Sequence, residues 1–259
     1  MLRAMYSGIS GLKNFQQKLD VIGNNIANVN TYGYKKGRAT FADMVSQNIQ
    51  GAKANDGVIG GVNPKQVGLG SQLSTIDNIH TQGSIQNTNR PLDMAISGDG
   101  YFTVTDGIND FYTRAGNFYL DETGQLVNSD GLMVQPNVNI PVDAQSFSID
   151  PSGVVSFVDN AGTLQNAGQL EITTFSNPGG LEKKGGNLFS ETQNSGAPNA
   201  VTAGTGGSGK LVVGALEMSN VDLSEEFTEM ITAQRGFQAN TRIITTSDEI
   251  LQELVNLKR

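Results

Sequence analysis

Both ends of the 259-residue chain carry apolar residues at heptad spacing, and this pattern constrains the fold more than any other feature. A stripe with this period predicts a helix that packs lengthwise against another surface, because short isolated helices are marginal in water. Two such helices at opposite ends favour a coiled coil of the termini over helices that each pack on a domain core. The N-terminal stripe comprises Leu2, Met5, Ile9, Leu12, Leu19 and Ile26. The C-terminal stripe comprises Leu223, Met230, Phe237, Ile244 and Leu251.

The C-terminal stripe recurs at strict intervals of seven, whereas the N-terminal repeat is imperfect. Gln16 and Gly23 interrupt the first, and Ile22 supplies apolar surface beside them. Asp222, with Glu225 three residues later, resembles a capping box and predicts the start of the second helix. Near its end the second stripe is widened by Ile250, Leu254 and Leu257.

The middle of the chain alternates short β-prone runs with turn signals, such as residues 101–104, 111–113 and 154–158. This alternation predicts an all-β domain with tight turns. Residues 51–75 and 192–210 are rich in Gly, Ser and Asn, and they are interpreted as linkers or extended arms.

The predicted fold class is therefore α+β and multi-domain, with terminal helices that form a coiled-coil domain, Gly-rich extended arms and an all-β middle domain. The helices return both termini to one place while the β domain projects away. The predicted bounds are 1–50 for the N-terminal helix and the start of an arm, 51–90 for the arm, 91–190 for the β domain, 191–216 for the returning arm and 217–259 for the C-terminal helix.

Composition excludes several classes of function. The chain has no Cys and a single His, His80, which rules out disulfides, thiolate or His-pair metal sites and a nucleophilic triad. A lone His in a polar stretch is expected at the surface. The net charge of −8 argues against non-specific nucleic-acid binding. No apolar run is long enough to predict membrane insertion, and the first residues lack the apolar region of a cleavable signal peptide.

One segment imitates a phosphate-binding loop. Residues 204–210 match the first seven positions of a P-loop, but Leu211 replaces the hydroxyl residue that would hold magnesium. A strand-like run follows, whereas the phosphate site requires a helix N-terminus there. The segment is interpreted as a flexible linker. Because no other residues form a catalytic constellation, we expect neither an enzyme nor a cofactor.

An Asn-rich run ends the first helix, with Asn24, Asn25, Asn28 and Asn30 inside seven residues. The end of a helix before Gly33 explains the last two. Four amides on an otherwise apolar stripe nevertheless indicate side-chain hydrogen bonds between packed chains, which would fix their register.

Three groups of segments resemble flagellar rod and hook proteins. The N-terminal motif of this family is matched by residues 7–12, 19–31 and 33–36. The start of its β domain is matched by residues 93–102 and 112–118. Its C-terminal motif is matched by residues 217–223, 233–240 and 245–249. The match spans the chain and keeps its order.

The resemblance implies a helical homopolymer whose terminal helices form an inner tube around an export channel. The expected partners are further copies of the chain, rod and hook–filament junction proteins, the hook cap and the flagellar type III exporter. The expected location is the extracellular hook or the basal body. The implied assembly residues are Leu2, Met5, Ile9, Leu12, Leu19, Ile22, Asn24, Asn25, Ile26, Asn28, Leu223, Met230, Phe237, Ile244, Leu251 and Leu254.

Within the family the sequence favours the hook, a curved flexible tube that transmits motor torque to the filament. Residues 63–71 and 250–259 resemble the short hook proteins of Gram-positive flagella. The alternative is a distal rod subunit, the straight drive shaft of the basal body, whose length this chain matches. A secreted β-rich binding module is a more distant alternative, because it would not require apolar seams at both ends.

Overall fold

The computed structural model describes residues 2–54 and 60–257, and the chain forms two compact units that interleave along the sequence. Unit 1 contains Met1–Ile26, Gly37–Asp77 and Asp222–Arg259. Unit 2 contains Ala27–Lys36 and Asn78–Val221. The predicted α+β fold, with terminal helices and a β-rich middle, is confirmed. The finer division into five segments stays a prediction.

Unit 1 is built around two long helices. The side chain of Asp222 accepts hydrogen bonds from Ser224 N (2.8 Å) and Glu225 N (3.4 Å), so the predicted N-cap begins the second helix. The first helix continues through Gln16 and Gly23 without interruption. The elements are α1 (Leu2–Ala27), β1 (Gly37–Asp43), β2 (Gln47–Gln50), β3 (Lys65–Val67), β4 (Ser71–Asn78) and α2 (Leu223–Asn256). Strand β1 pairs with β4, and β2 pairs antiparallel with β3.

Unit 2 consists of short strands, numbered on from unit 1 in chain order. They are β5 (Ile85–Asn87), β6 (Met94–Ser97), β7 (Phe102–Thr105), β8 (Asp110–Thr113), β9 (Tyr119–Leu120), β10 (Leu126–Val127), β11 (Met133–Gln135), β12 (Ser146–Ile149), β13 (Val154–Val158), β14 (Leu164–Gln169), β15 (Glu171–Thr174), β16 (Glu182–Gly185), β17 (Leu188–Ser190), β18 (Asn199–Thr202), β19 (Lys210–Val213) and β20 (Ala215–Glu217).

The largest sheet of unit 2 has seven strands in the order β16-β17-β8-β7-β11-β10-β9. Its centre is antiparallel, with Phe102 opposite Thr113 and Thr103 opposite Gln135. The other sheets are β12-β13-β14, β15-β18, β19-β6 and β20-β5.

Four hairpin turns of unit 2 share the pattern Asp/Asn-x-x-Gly. In each turn the Gly N–H donates to the carbonyl of the first residue, at 2.8 to 3.2 Å, and the Gly φ lies between 77° and 87°. Such a φ is open to Gly because it lacks a Cβ, so the tetrapeptide specifies the reversal locally. The turns are 121–124, 128–131, 150–153 and 159–162.

Unit 2 contains two apolar clusters of buried residues, and the larger one includes Met94, Ile96 and Phe102. Met94 and Ile96 are fully buried, and Phe102 meets Phe118 edge to face with ring centroids 5.1 Å apart. Strands from several sheets contribute to the larger cluster, which therefore holds the sheets together. None of the helices that the structure describes is long and apolar enough to cross a membrane.

Candidate assembly site

Helices α1 and α2 pack against each other in unit 1 through glycines. A Cβ on Gly11 would lie 2.8 Å from Asn240 Nδ2, and one on Gly236 would lie 2.5 Å from Phe15 Cζ. Both distances are shorter than packed side chains allow, so the helices meet at positions without a side chain. As α1 advances from Gly11 to Phe15, the contacts on α2 go back from Asn240 to Gly236. The two helices are therefore antiparallel.

The α1-facing side of α2 contains two sets of residues at intervals of seven. The predicted set of large apolar residues includes Met230, Ile244 and Leu251, which are half-buried. A second set of smaller or polar residues is Glu226, Ala233, Asn240 and Ser247, of which three are buried. The spacing of large apolar residues does not predict this second set or the glycines. Their signal was present as a second heptad repeat and as the Gly8/Gly11 pair, one turn apart.

The other predicted assembly residues divide between buried and exposed positions. The side chain of Leu2 lies outside the described residues. The exposed residues are Ile9, Asn24, Leu223, Phe237 and Leu254. The buried or half-buried residues of α1 and its C-terminal end are Met5, Leu12, Leu19, Ile22, Asn25, Ile26 and Asn28.

Asn25 is the member of the Asn-rich run whose contacts are best defined. It is 1% exposed, and its amide exchanges two hydrogen bonds of 2.9 Å with the backbone of Gly37, as a paired strand residue would. Its Nδ2 also donates to Glu226 Oε2 at 3.2 Å. Lys18 forms a further ion pair with Glu229. Asn25 thus ties the end of α1 to the start of β1 and to the first turn of α2 within one chain.

Helix α2 also carries large apolar side chains that remain in contact with solvent. Phe227 and Ile231, and again Ile250 and Leu254, lie one helical turn apart and form two separate exposed apolar patches, and contiguous patches of this kind mark protein–protein surfaces. The exposed fractions are 49% for Phe227, 52% for Ile231, 44% for Ile243, 47% for Ile250, 50% for Leu254 and 66% for Val255.

Unit 2 contains a buried ion cluster that the sequence analysis did not identify. Glu217 is fully buried; its Oε1 accepts hydrogen bonds from Lys35 Nζ (2.6 Å) and Gly83 N (2.9 Å), and its Oε2 accepts one from Arg114 Nη1 (3.2 Å). Burial lowers the pKa of Lys35, and the neighbouring Glu217 opposes that shift. Loss of Glu217 would leave Lys35 and Arg114 buried without their shared anion, which is strongly destabilising.

His80 lies beside this cluster, so the expectation of a surface histidine is wrong. Its Nδ1 is 2.6 Å from Tyr101 Oη, and its ring packs at 5.4 Å from the Phe189 ring. Burial, together with the cations Lys35, Arg114 and Lys183, lowers the pKa of His80 to about 4. The imidazole is therefore neutral at physiological pH.

The P-loop-like segment leads into strand β19, which begins at Lys210, and Leu211 is 2% exposed in the core of unit 2. No helix N-terminus follows it in that part of the chain. Among the described residues, no group of three or more His, Asp or Glu side chains is arranged to hold a metal ion.

Comparison with known proteins places these elements in one family. Residues 5–35 match the profile of flagella basal body rod proteins, residues 95–157 match the D1 domain of flagellar hook protein FlgE/F/G, and residues 212–257 match the C-terminal region of flagellar basal body rod FlgEFG proteins.

Full-length relatives agree. The chain is 62% identical over 264 residues to the flagellar basal-body rod protein FlgG of Bacillus subtilis (strain 168), with 100% of both chains covered. It is 43% identical over 257 residues to FlgG of Agrobacterium fabrum, covering 96% of this chain and 97% of the relative. It is 30% identical over 441 residues to the flagellar hook protein FlgE of Borreliella burgdorferi, with 100% of both chains covered. The chain belongs to the family of flagellar basal-body rod and hook proteins, the structural axial subunits of the bacterial flagellum.

Proposed function

We propose that this chain is a rod subunit of the flagellar basal body, the distal-rod alternative, rather than a hook subunit. The observation that carries this proposal is the 62% identity to a rod protein of matching length, against 30% to a hook protein over an alignment of 441 residues. The hook interpretation rests on residues 63–71 and 250–259. These segments are short, and the second lies mostly in the helix end that both kinds of subunit share. The family comparison therefore favours the rod.

The proposed role is mechanical and involves no catalysis. Copies of the chain polymerise into a straight shaft that transmits torque, in contact with other rod proteins, with hook proteins and with the exporter that delivers the subunits. The exposed residues of the predicted seams and the exposed apolar residues of α2 form the contacts between subunits. Burial of these side chains on assembly would contribute about 25 cal/mol per Å² of apolar surface, from which the entropy lost on association is subtracted.

Immunogold electron microscopy of flagella released intact from cells tests the location. Gold label on the straight segment below the hook is the expected result. Label on the short curved segment would overturn the rod proposal in favour of the hook. Absence of label from both segments would overturn the axial role itself.

A point mutation tests the proposed contact surface. Ile231→Asp places a charge in the apolar patch that Phe227 and Ile231 form on α2, where Ile231 is 52% exposed, and should abolish assembly without unfolding the free subunit. Thr232→Asp is the matched control, because it adds the same charge at the next position, which is already polar and exposed. Circular dichroism checks the fold of both variants, and sedimentation checks assembly. Normal rods from Ile231→Asp would exclude this patch from the contact.

A further inference from the structure

The chain passes four times between its two units, and three of these crossings lie close to Asn220. The three crossings follow Lys36, Asp77 and Val221. Lys36 lies directly before the first of these crossings. Ile79 lies two residues after Asp77 at the second, and Asn220 lies one residue before Val221 at the third. A single covalent connection can rotate about its backbone dihedrals. Three connections tied to each other would have to move together.

The side chain of Asn220 ties these segments together inside unit 2. Its Oδ1 accepts a hydrogen bond from Lys36 N (2.8 Å), and its Nδ2 donates to Ile79 O (2.8 Å). The Nδ2 also lies 3.2 Å from Thr81 O and 3.0 Å from Thr81 Oγ1. A backbone hydrogen bond from Ile79 N to Lys36 O (2.9 Å) joins these two segments to each other directly. One carboxamide thus uses its acceptor and both its donors on two other segments.

These partners are distant in sequence, which separates this Asn from an ordinary turn residue. Asn in turns bonds to backbone a few positions away. The partners of Asn220 lie 184, 141 and 139 residues away. The amide therefore stabilises a junction between segments and not a local turn.

The buried ion cluster holds the same segments through Glu217, which lies three residues before Asn220. The carbonyl of Glu217 accepts a hydrogen bond from Gly33 N at 2.8 Å, while its carboxylate holds Lys35 and Gly83. Lys35 Nζ also donates to Thr81 O at 2.8 Å. The segments that Asn220 joins are thus already fixed on one side by buried charges.

We propose that Asn220 is a positioning residue that clamps the segments at Lys36, Ile79 and Asn220 together inside unit 2, so that this part of the assembled subunit is stiff. The part of this proposal that concerns the assembled rod rests on the proposed function. The clamp itself is a property of the free chain. Only an amide of this length supplies one acceptor and two donors in one plane, so neither Asp nor Ser can replace it fully.

Hydrogen exchange and limited proteolysis of the full-length free subunit test the clamp. In Asn220→Ala the Lys36 amide loses its acceptor, and we expect its exchange and tryptic cleavage at the Lys36–Gly37 bond to accelerate on the order of tenfold. Amides of β7, in the core of unit 2, should keep their protection. Asn177→Ala is the matched control, because it removes only a bond from Nδ2 to Asn194 O (3.1 Å) elsewhere in unit 2. Unchanged exchange and cleavage in Asn220→Ala would overturn the clamp.

Asn220→Asp provides a second variant if the alanine change prevents folding. It keeps an acceptor for Lys36 N but removes both donors, so we expect faster cleavage at Lys36–Gly37 with a smaller change in the exchange of the Lys36 amide. Rods assembled from this variant should show a wider distribution of curvature in electron micrographs. A distribution identical to that of wild-type rods would overturn the stiffness role. The exchange result is obtained without assembly, so failure of the clamp and failure of the rod assignment are distinguishable.

Discussion

The β-rich unit 2 and the helix pair of unit 1 bury different kinds of residue. Unit 2 closes an apolar cluster around Met94, Ile96 and Phe102 and completes it with buried charges. Among the described residues of unit 1, the buried apolar side chains are Ile22 and Ala233, while large apolar residues stay exposed on α2. Unit 2 therefore has a complete core of its own, whereas the helix pair leaves apolar surface for further contacts.

The free energy of unfolding is therefore distributed unevenly between the two units of this chain. Folding free energy from burial scales with apolar area removed from water, and unit 2 contains nearly all of the buried apolar residues. The free helices gain less, and the rest of their stabilisation is expected on assembly. Changes in unit 2 should therefore act on the free subunit, and changes on the exposed helix faces on the polymer.

The largest effect is expected in the core of unit 2. Phe102→Ala should lower the free energy of unfolding of unit 2 by about 3–5 kcal/mol, because Phe102 is 1% exposed and its loss leaves a cavity. Denaturant titration followed by circular dichroism measures the change. Ile108→Ala is the control: Ile108 is 90% exposed, and a change within about 0.5 kcal/mol is expected. A loss below about 1 kcal/mol for Phe102→Ala would contradict the conclusion that the core of unit 2 provides most of the stability of the free subunit.

Acid should act on unit 2 through His80. The pKa of His80 is about 4 in the folded chain against an ordinary 6.5, so the unfolded chain binds more protons between these pH values. The contribution of His80 to the free energy of unfolding is complete above pH 6.5 and is lost as the pH falls towards 4. The loss amounts to at most roughly 3 kcal/mol. Melting temperatures from pH 7 to 4 should fall less steeply in His80→Gln. Equal slopes would contradict this role for His80.

The helix pair should be sensitive to volume at its glycines. Gly236→Val would drive a side chain into Phe15, whose Cζ lies 2.5 Å from the position of a Cβ, and should cost about 1–3 kcal/mol. Faster hydrogen exchange in α1 and α2, with unit 2 unchanged, would show that the effect stays in unit 1. Gly23→Ala is the control, because a Cβ there meets nothing within 4 Å and improves helix propensity. Faster exchange throughout unit 2 in Gly236→Val would contradict the assignment of this effect to the helix contact of unit 1.

The smallest effect is expected at the start of α2. Asp222→Ala removes the acceptor for Ser224 N and Glu225 N and should cost about 1 kcal/mol, confined to the first turns of the helix. Asp222→Asn keeps an acceptor and should be close to neutral. Helical circular dichroism during thermal unfolding resolves the two variants. An equal loss in Asp222→Asn and Asp222→Ala would show that charge and not capping is responsible.

Sequence patterns predicted the elements well where the signal is local. The interval of seven between Met230, Phe237 and Ile244 identified α2, and Asp222 identified its first turn. The turns that end in Gly124 and Gly153 specify their hairpins through the φ that Gly allows. The contact between α1 and α2 could not be predicted in full, because a search for large apolar residues passes over the glycines and small residues that let helices approach each other.

Two terminal helices, a β-rich middle and membership of the rod and hook family could be predicted from the sequence alone, since these features depend on residues close together in the chain. The three-dimensional packing was needed to show that Glu217 meets Lys35, 182 residues away, and Arg114, 103 residues away, and that Asn220 joins Lys36 to Ile79. The sequence around a charged or amide side chain does not show which distant residue it will contact. The partner is set when packing of the apolar core fixes which segments lie side by side, and a buried polar group is stable only where that packing supplies its hydrogen bonds.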